Sequence, residues 1–230
     1  MRARPRILLI NGNSSPSITE RLVTLARAAA PQLEFLPHTT DQGPAYISTP
    51  TDVALASEKI PEAIAFAIRH EEPDGCIIAC FGEPGLAEAR QRFNFPIVGM
   101  AEASMLTAMQ LGGNFAILTL GEHWPQMLHN LTKVYGVRDR CSGIELIEGT
   151  PKELMSNPKR TAELVTAAAE KCGVPIVIVG GAALTGLASA IGPLQGLLLI
   201  DCLHASIAQI LGLTAYRHMS SISGGSLTAM

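Results

Sequence analysis

The sequence predicts an α/β protein of two pseudo-symmetric domains, each a mostly parallel sheet flanked by helices. Short continuous apolar runs, such as residues 6–10, are typical of parallel strands buried on both faces, and they alternate with segments of helical periodicity. The order of elements also repeats in the two halves of the chain. With 230 residues, of which 47% are hydrophobic, the chain can bury a substantial core. Because parallel sheets bind ligands beyond the carboxyl ends of their strands, the active site is expected in the cleft between the domains.

The first half opens with a strand that runs into a polar loop from Asn11 to Ser17. Such a loop before a helix can bind anionic groups through free backbone N–H groups, or it can be a capped connection and nothing more. Ser17 and Glu20 predict a capping box for the first helix, and Thr51 or Ser57 is expected to cap the second. The predicted strands lie at residues 6–10, 33–37 (at a sheet edge), 76–80 and 95–100, and the helices at about 18–30, 51–70 and 83–93.

The second half repeats this layout. The loop after residue 118 takes the place of the loop after residue 10, and Gly181 takes the place of Cys80. Residues 1–100 and about 205–230 are predicted to form the domain that carries Cys80, and residues 101–204 the other. The predicted strands of this half lie at 114–119, 144–147, 175–180 and 197–200, and the helices at about 101–111, 126–135, 158–172 and 202–211, before a Ser/Gly tail.

Composition and charge exclude several classes of protein. The formal net charge is -3 and no cluster of Lys and Arg occurs, so nucleic-acid binding is not expected. No apolar run reaches the roughly 20 residues that cross a bilayer, and the N-terminus leads into a strand, so we expect no membrane association and a cytoplasmic protein. The five cysteines lack the spacing with histidines that is typical of zinc sites. Free thiols and no metal are therefore predicted.

Cys80 is the best candidate for chemistry because it ends a buried strand. The amides of Phe81, Gly82 and Glu83 follow at a predicted helix start, where they could stabilise a thiolate that acts as base or nucleophile. The alternative is a small buried hydrophobic residue, as most free cysteines are. Scattered histidines predict no Cys–His pair; His123 lies in a cleft loop, where a solvated role is favoured. The glycine loops lack dinucleotide or Walker spacing, so no cofactor is expected.

Four stretches that together cover nearly the whole chain carry a family resemblance. The most specific is the segment from Cys80 through Phe81, Gly82, Glu83 and Pro84 to Gly85. The chain resembles the aspartate/glutamate racemase superfamily, and most closely its hydantoin and allantoin racemase branch. The matching stretches are residues 6–15, 74–86, 96–103 and 175–187.

The resemblance implies a cofactor-independent enzyme with its active site between two domains. In that branch two cysteines face each other across the substrate, and one removes a proton that the other returns to the opposite face. This chemistry suits a small-molecule substrate with an acidic carbon next to a carbonyl, of the hydantoin or allantoin type. A homo-oligomer is also implied. The resemblance places the first thiol on Cys80, the anion-stabilising amides on Phe81 and Gly82, and the walls on Asn11, Asn13, Ser14, Thr119, Leu120, Gly181 and Ala182.

The second cysteine of that branch is absent, because Gly180 is followed by Gly181. Cys172 and Cys202 are not in that loop, and the hydroxyl of Thr185 has too high a pKa to replace a thiol. Cys80 is thus predicted to be the single acid/base of an isomerase. One alternative is a decarboxylase of the arylmalonate type or a non-racemising isomerase, since protonating an enolate from one face needs one thiol. A ligand-binding member without turnover, or an engineered loss of the thiol, are the others.

Overall fold

The computed structural model describes residues 4–223, with side chains described as far as residue 220, and these residues form two four-stranded parallel sheets. The first sheet contains β1 (Arg6–Asn11), β2 (Glu34–Thr39), β3 (Gly75–Ile78) and β4 (Ile97–Gly99), and the second contains β5 (Phe115–Thr119), β6 (Cys141–Leu146), β7 (Ile176–Val179) and β8 (Leu198–Asp201). The helices are α1 (Pro16–Ala29), α2 (Pro50–Ala67), α3 (Leu86–Arg92), α4 (Met100–Gln110), α5 (Trp124–Val134), α6 (Pro151–Ser156), α7 (Pro158–Lys171), α8 (Leu187–Ile191) and α9 (Cys202–Ser223). The predicted α/β class is confirmed.

The two sheets have equivalent topologies. Their strand orders are β2-β1-β3-β4 and β6-β5-β7-β8, so each central pair has the same partners. Ile10 pairs with Ile78 in the first sheet, and Leu118 pairs with Val179 in the second. The carboxyl ends of β3 and β7 are therefore equivalent edges, which confirms the predicted repeat.

Apolar strand residues explain where the core lies. Residues 7–10 of β1 and 176–179 of β7 are buried, as expected for parallel strands covered on both faces. The helix α9, which follows the last strand of the second sheet, returns to pack against β3 and β4 of the first sheet. Within residues 4–223, no helix is long and apolar enough to cross a membrane.

The predicted helix caps are wrong for both α1 and α2. The N-cap of α1 is Ser15, which makes no side-chain cap hydrogen bond, and Pro16 occupies the first turn. The N-cap of α2 is Thr49, which forms a capping box with Asp52. In both helices a proline just inside the start has the backbone angle that the first turn requires, and this fixes where the helix begins.

Other helix boundaries also differ from the prediction. α3 begins at Leu86 rather than 83, because Glu83 (φ 52°) and Gly85 (φ 71°) adopt left-handed conformations that keep the preceding segment a loop. α6 was not predicted. α9 continues to Ser223, past the predicted end at 211, so residues 212–223 of the expected tail are helical. The rest of that tail lies outside the described residues.

Candidate active site

Two equivalent loops meet at the carboxyl ends of β3 and β7. We name residues 79–85 the first loop and residues 180–186 the second loop. The aromatic ring of Phe81 in the first loop packs directly on the backbone of Gly180 in the second, where a Cβ atom would come within 2.2 Å of the Phe81 ring. Only glycine permits this approach, so the close contact of the two loops depends on Gly180.

The two loops have the same backbone hydrogen bonds. In the first loop, the Glu83 N–H donates to the Cys80 carbonyl at 3.1 Å. In the second, the Leu184 N–H donates to the Gly181 carbonyl at 3.0 Å. Each loop ends on a glycine in a left-handed conformation immediately before a short helix. Cys80 and Gly181 therefore occupy equivalent positions.

A cavity of about 30 Å³ lies between the two loops. Seven of the residues predicted to form the site line this cavity: Asn13, Cys80, Phe81, Thr119, Leu120, Gly181 and Ala182. Four further lining residues were not predicted as site residues: Tyr46, Ile47, Ala79 and Trp124. The cavity thus joins the first and second loops with the segments that follow β1 and β5.

Three predicted site residues lie outside the cavity lining. Asn11 is buried behind it, and its side-chain amide donates to the Asn13 side-chain oxygen at 2.9 Å. Ser14 is exposed, and its N–H donates to the Pro44 carbonyl at 3.0 Å. Gly82 packs beneath the indole ring of Trp124. Asn11 and Ser14 therefore act here by shaping the loop after β1.

The segment between β2 and α2 covers the cavity with Tyr46 and Ile47. The sequence suggested function for this segment only through its unusual length. Its end is fixed where Asp52 accepts hydrogen bonds from Ser48 and Thr49. Burial and the nearby Cys80 raise the pKa of Tyr46, so its phenol is neutral at physiological pH.

The Cys80 thiol is protonated in the free protein. Burial raises its pKa to about 11, and the negative charge of Glu83 adds to this shift. Hydrogen bonds from the Gly82 and Glu83 amides act in the opposite direction, because they favour the thiolate. The expectation that these amides make Cys80 a thiolate at rest is wrong, since desolvation outweighs them. The side chain is poised as a proton donor with two amides ready to hold its anion.

The position opposite Cys80 carries no side chain. Gly181 has φ +119°, and a Cβ built on it would lie 3.7 Å from Leu120 and 3.9 Å from Thr119, at ordinary contact distances. The nearest other thiol, that of Cys202 at the start of α9, is buried behind the second loop, with its sulfur 3.7 Å from the Thr185 hydroxyl. Burial raises the pKa of Cys202 to about 12. Within residues 4–223, Cys80 is the one thiol that lines the cavity.

Among the described residues, no group of three or more His, Cys, Asp or Glu side chains is arranged to hold a metal ion. The ionisable side chains that line the cavity are Tyr46 and Cys80. The arrangement can therefore donate a proton to, or accept one from, a substrate held between the two loops.

Comparisons with known proteins agree with this geometry. Residues 7–210 match the Asp/Glu/Hydantoin racemase family. The hydantoin racemase of Paenarthrobacter aurescens is 28% identical over 221 residues, which are 94% of each chain. The structure of allantoin racemase from Klebsiella pneumoniae is similar with a TM-score of 0.84 and 29% identity, over 92% of this chain and 88% of that one. A structure of arylmalonate decarboxylase, at 14% identity and a TM-score of 0.66 over 91% of this chain and 92% of that one, shares the fold.

Proposed function

The chain belongs to the Asp/Glu/hydantoin racemase family, and we propose that it is a cofactor-independent isomerase that transfers a proton at a carbon next to a carbonyl. The proposed substrates are hydantoin- or allantoin-type molecules, in line with the names of its relatives. Cys80 is the single acid/base. One observation carries this proposal: across the cavity from Cys80, the equivalent position is Gly181, which has no side chain.

The electrostatics of Cys80 suit this chemistry. A C–H bond beside a carbonyl is weakly acidic, so the base that breaks it must be strong. A thiol whose pKa is about 11 gives a strongly basic thiolate, and the amides of Gly82 and Glu83 hold that anion once it forms. After proton removal the same thiol can return a proton to the planar enolate.

A single thiol has a stereochemical consequence. Cys80 lies on one side of the cavity, so it reaches the acidic hydrogen of only one enantiomer in a fixed binding mode. It removes and returns the proton on that face. Solvent exchange of one enantiomer is therefore expected, without the inversion that a thiol at position 181 would provide.

The covering segment must move to admit a substrate. Pockets that bind small molecules hold about 300–1,000 Å³, far above the 30 Å³ between the loops. Tyr46 is 37% exposed, and it covers the cavity together with Ile47. We infer that displacement of these two side chains opens the site.

The test is solvent exchange in D₂O with each enantiomer of a 5-substituted hydantoin and of allantoin. NMR of the α-proton should show exchange of one enantiomer by the unmodified protein. Cys80→Ala should lower that rate on the order of 10²–10⁴-fold, because the acid/base is lost. Cys172→Ala, which removes a half-buried thiol outside the cavity, is the matched control and should keep the full rate.

Two outcomes would overturn the proposal. Full racemisation of either enantiomer would show that a second base acts opposite Cys80. Unchanged exchange in Cys80→Ala would remove the thiol from the mechanism.

The protonated state of Cys80 favours a second candidate function, a decarboxylase. Loss of carbon dioxide from an arylmalonate leaves an enolate that needs only a proton donor, and a thiol with a pKa of about 11 is already protonated at neutral pH. Adding an arylmalonate to the same assay tests this function, which predicts carbon dioxide release and one product enantiomer. Binding without exchange or release would identify a ligand-binding protein.

A further inference from the structure

A buried carboxylate lies three residues after Cys80. Glu83 is 5% exposed, and the backbone N–H of Glu102 donates to its Oε1 at 2.6 Å. The hydroxyl of Tyr135 donates to its Oε2. Glu102 is in the first turn of α4, and Tyr135 directly follows α5 of the second half. One side chain of the first loop thus binds elements from both halves.

The surroundings of Glu83 are built closely around its charge. The amide of Ala101 also binds the carboxylate, so two N–H groups at the start of α4 face it. The backbone of Gly99, just before α4, leaves the space that Glu83 occupies, since a Cβ there would lie 2.2 Å from Oε1. A side chain at position 99 would displace the carboxylate.

The same residue contacts Cys80 through its backbone. The Glu83 N–H donates to the Cys80 carbonyl at 3.1 Å, and the amides of Glu83 and Gly82 both bind the thiol sulfur. Glu83 adopts a left-handed conformation (φ 52°), which costs a non-glycine residue free energy unless other contacts hold it. The buried carboxylate supplies those contacts.

The titratable and charged groups around Glu83 come from four elements. Cys80 lies on its own loop, Arg90 on α3, Glu102 on α4 and Tyr135 after α5. Arg90 pairs with the Glu102 carboxylate, so it does not neutralise Glu83 directly. Burial raises the pKa of Glu83 to about 7, and the Tyr135 hydroxyl opposes this shift.

We propose that Glu83 is the positioning residue of Cys80: its carboxylate fixes the first loop so that two amides face the thiol, and its charge controls how readily the thiol loses its proton. The thiol is more acidic when Glu83 is neutral and less acidic when it is ionised. This inference rests on the proposed role of Cys80. It is tested by thiol alkylation, which requires no turnover, so it can fail or hold independently of the proposed function.

The experiment follows alkylation of Cys80 by iodoacetamide from pH 5 to 10, with the Cys80 peptide quantified by mass spectrometry. In the unmodified protein, the logarithm of the rate should rise with pH, flatten near pH 7 as Glu83 ionises, and rise again. In Glu83→Gln the rise should be continuous, because the amide keeps the hydrogen bonds without the charge. The ratio of the Glu83→Gln rate to the unmodified rate should grow from about 1 at pH 5 to about tenfold at pH 8.5.

Glu88→Gln is the matched control, since it removes an exposed carboxylate from the neighbouring helix and should leave the profile unchanged. If Glu83→Gln unfolds, alkylation of the buried Cys76 and Cys202 reveals it, and Tyr135→Phe then carries the test. Loss of the Tyr135 hydroxyl should move the flattening to higher pH. A rate ratio that does not vary with pH, or an unmoved flattening in Tyr135→Phe, would overturn the proposal.

Discussion

The first and second loops share a backbone but not a chemistry. Their hydrogen bonds and terminal glycines are equivalent, yet the first loop places Cys80 and Glu83 where the second places Gly181 and Leu184. The thiol and the buried carboxylate are both on one side of the cavity. A repeated fold thus fixes two equivalent positions without requiring that both carry a reactive group.

Each loop is also anchored by the opposite half of the molecule. The first loop is held where Tyr135 of the second half binds its buried carboxylate. The second loop is held where Arg21 of α1 donates to the carbonyls of Ala182 and Thr185, at 2.6 Å and 2.7 Å. The anchor of the first loop is a titratable acid, whereas that of the second is a guanidinium. The first loop should therefore respond to pH and the second should not.

A thiol placed in the second loop should break the asymmetry. Gly181→Cys directs a side chain towards Leu120 and Thr119 with room to spare, and it should create exchange of the enantiomer that the unmodified protein does not process, a gain on the order of 10²-fold or more. The positive φ at this position should cost about 1–3 kcal/mol of stability. Chiral chromatography and NMR in D₂O measure the gain.

Gly181→Ala separates chemistry from strain in that test. It should lose the same stability as Gly181→Cys but show no new exchange. Equal activity of the two variants would mean that the missing thiol does not explain the asymmetry of the site.

The pH dependence of stability should reveal the anchor of the first loop. The pKa of Glu83 is about 7 in the folded protein against an ordinary value of 4.5, so the folded state retains its proton where the unfolded state loses it. The contribution of Glu83 is complete below pH 4.5 and is lost as pH rises through 7, a fall of about 3 kcal/mol. Urea unfolding at pH 5 and pH 8 should show this fall in the unmodified protein, relative to Glu83→Gln. Parallel pH profiles for the two proteins would refute it.

Weakening the anchor of the second loop should have the smallest effect. Lysine at position 21 can bind one of the two carbonyls but not both with a planar fork, so Arg21→Lys should cost about 1.5 kcal/mol of the free energy of unfolding. The alkylation profile of Cys80 should not change, because Arg21 binds the second loop alone. A shifted profile would show that the two anchors are coupled.

Much of the fold followed from the sequence because apolar periodicity is a local property. The runs at 6–10 and 175–180 gave buried strands close to where they were predicted. The candidate loops followed from the order of elements and from the motif that begins at Cys80. Helix starts were less predictable, because Pro16 and Pro50, rather than the hydroxyl residues that were chosen, set them.

The site was only partly predictable because several of its features depend on distant contacts. Tyr46 lies in a segment without periodicity, and Trp124 could equally have been a packing residue. Glu83 was seen as a source of an amide, while its carboxylate depends on α4 and on Tyr135, far away in the chain. Nothing in local sequence reports such a contact.

The sequence by itself determined the two α/β halves, the thiol at position 80 and the lack of one at position 181. Tertiary structure alone decided that these positions face one cavity, that Cys80 is protonated at rest and that Glu83 is buried beside it. The reason is physical: strand and helix patterns are encoded over a few neighbouring residues, whereas the free energy of a proton on a side chain depends on burial and on charges brought together only by folding.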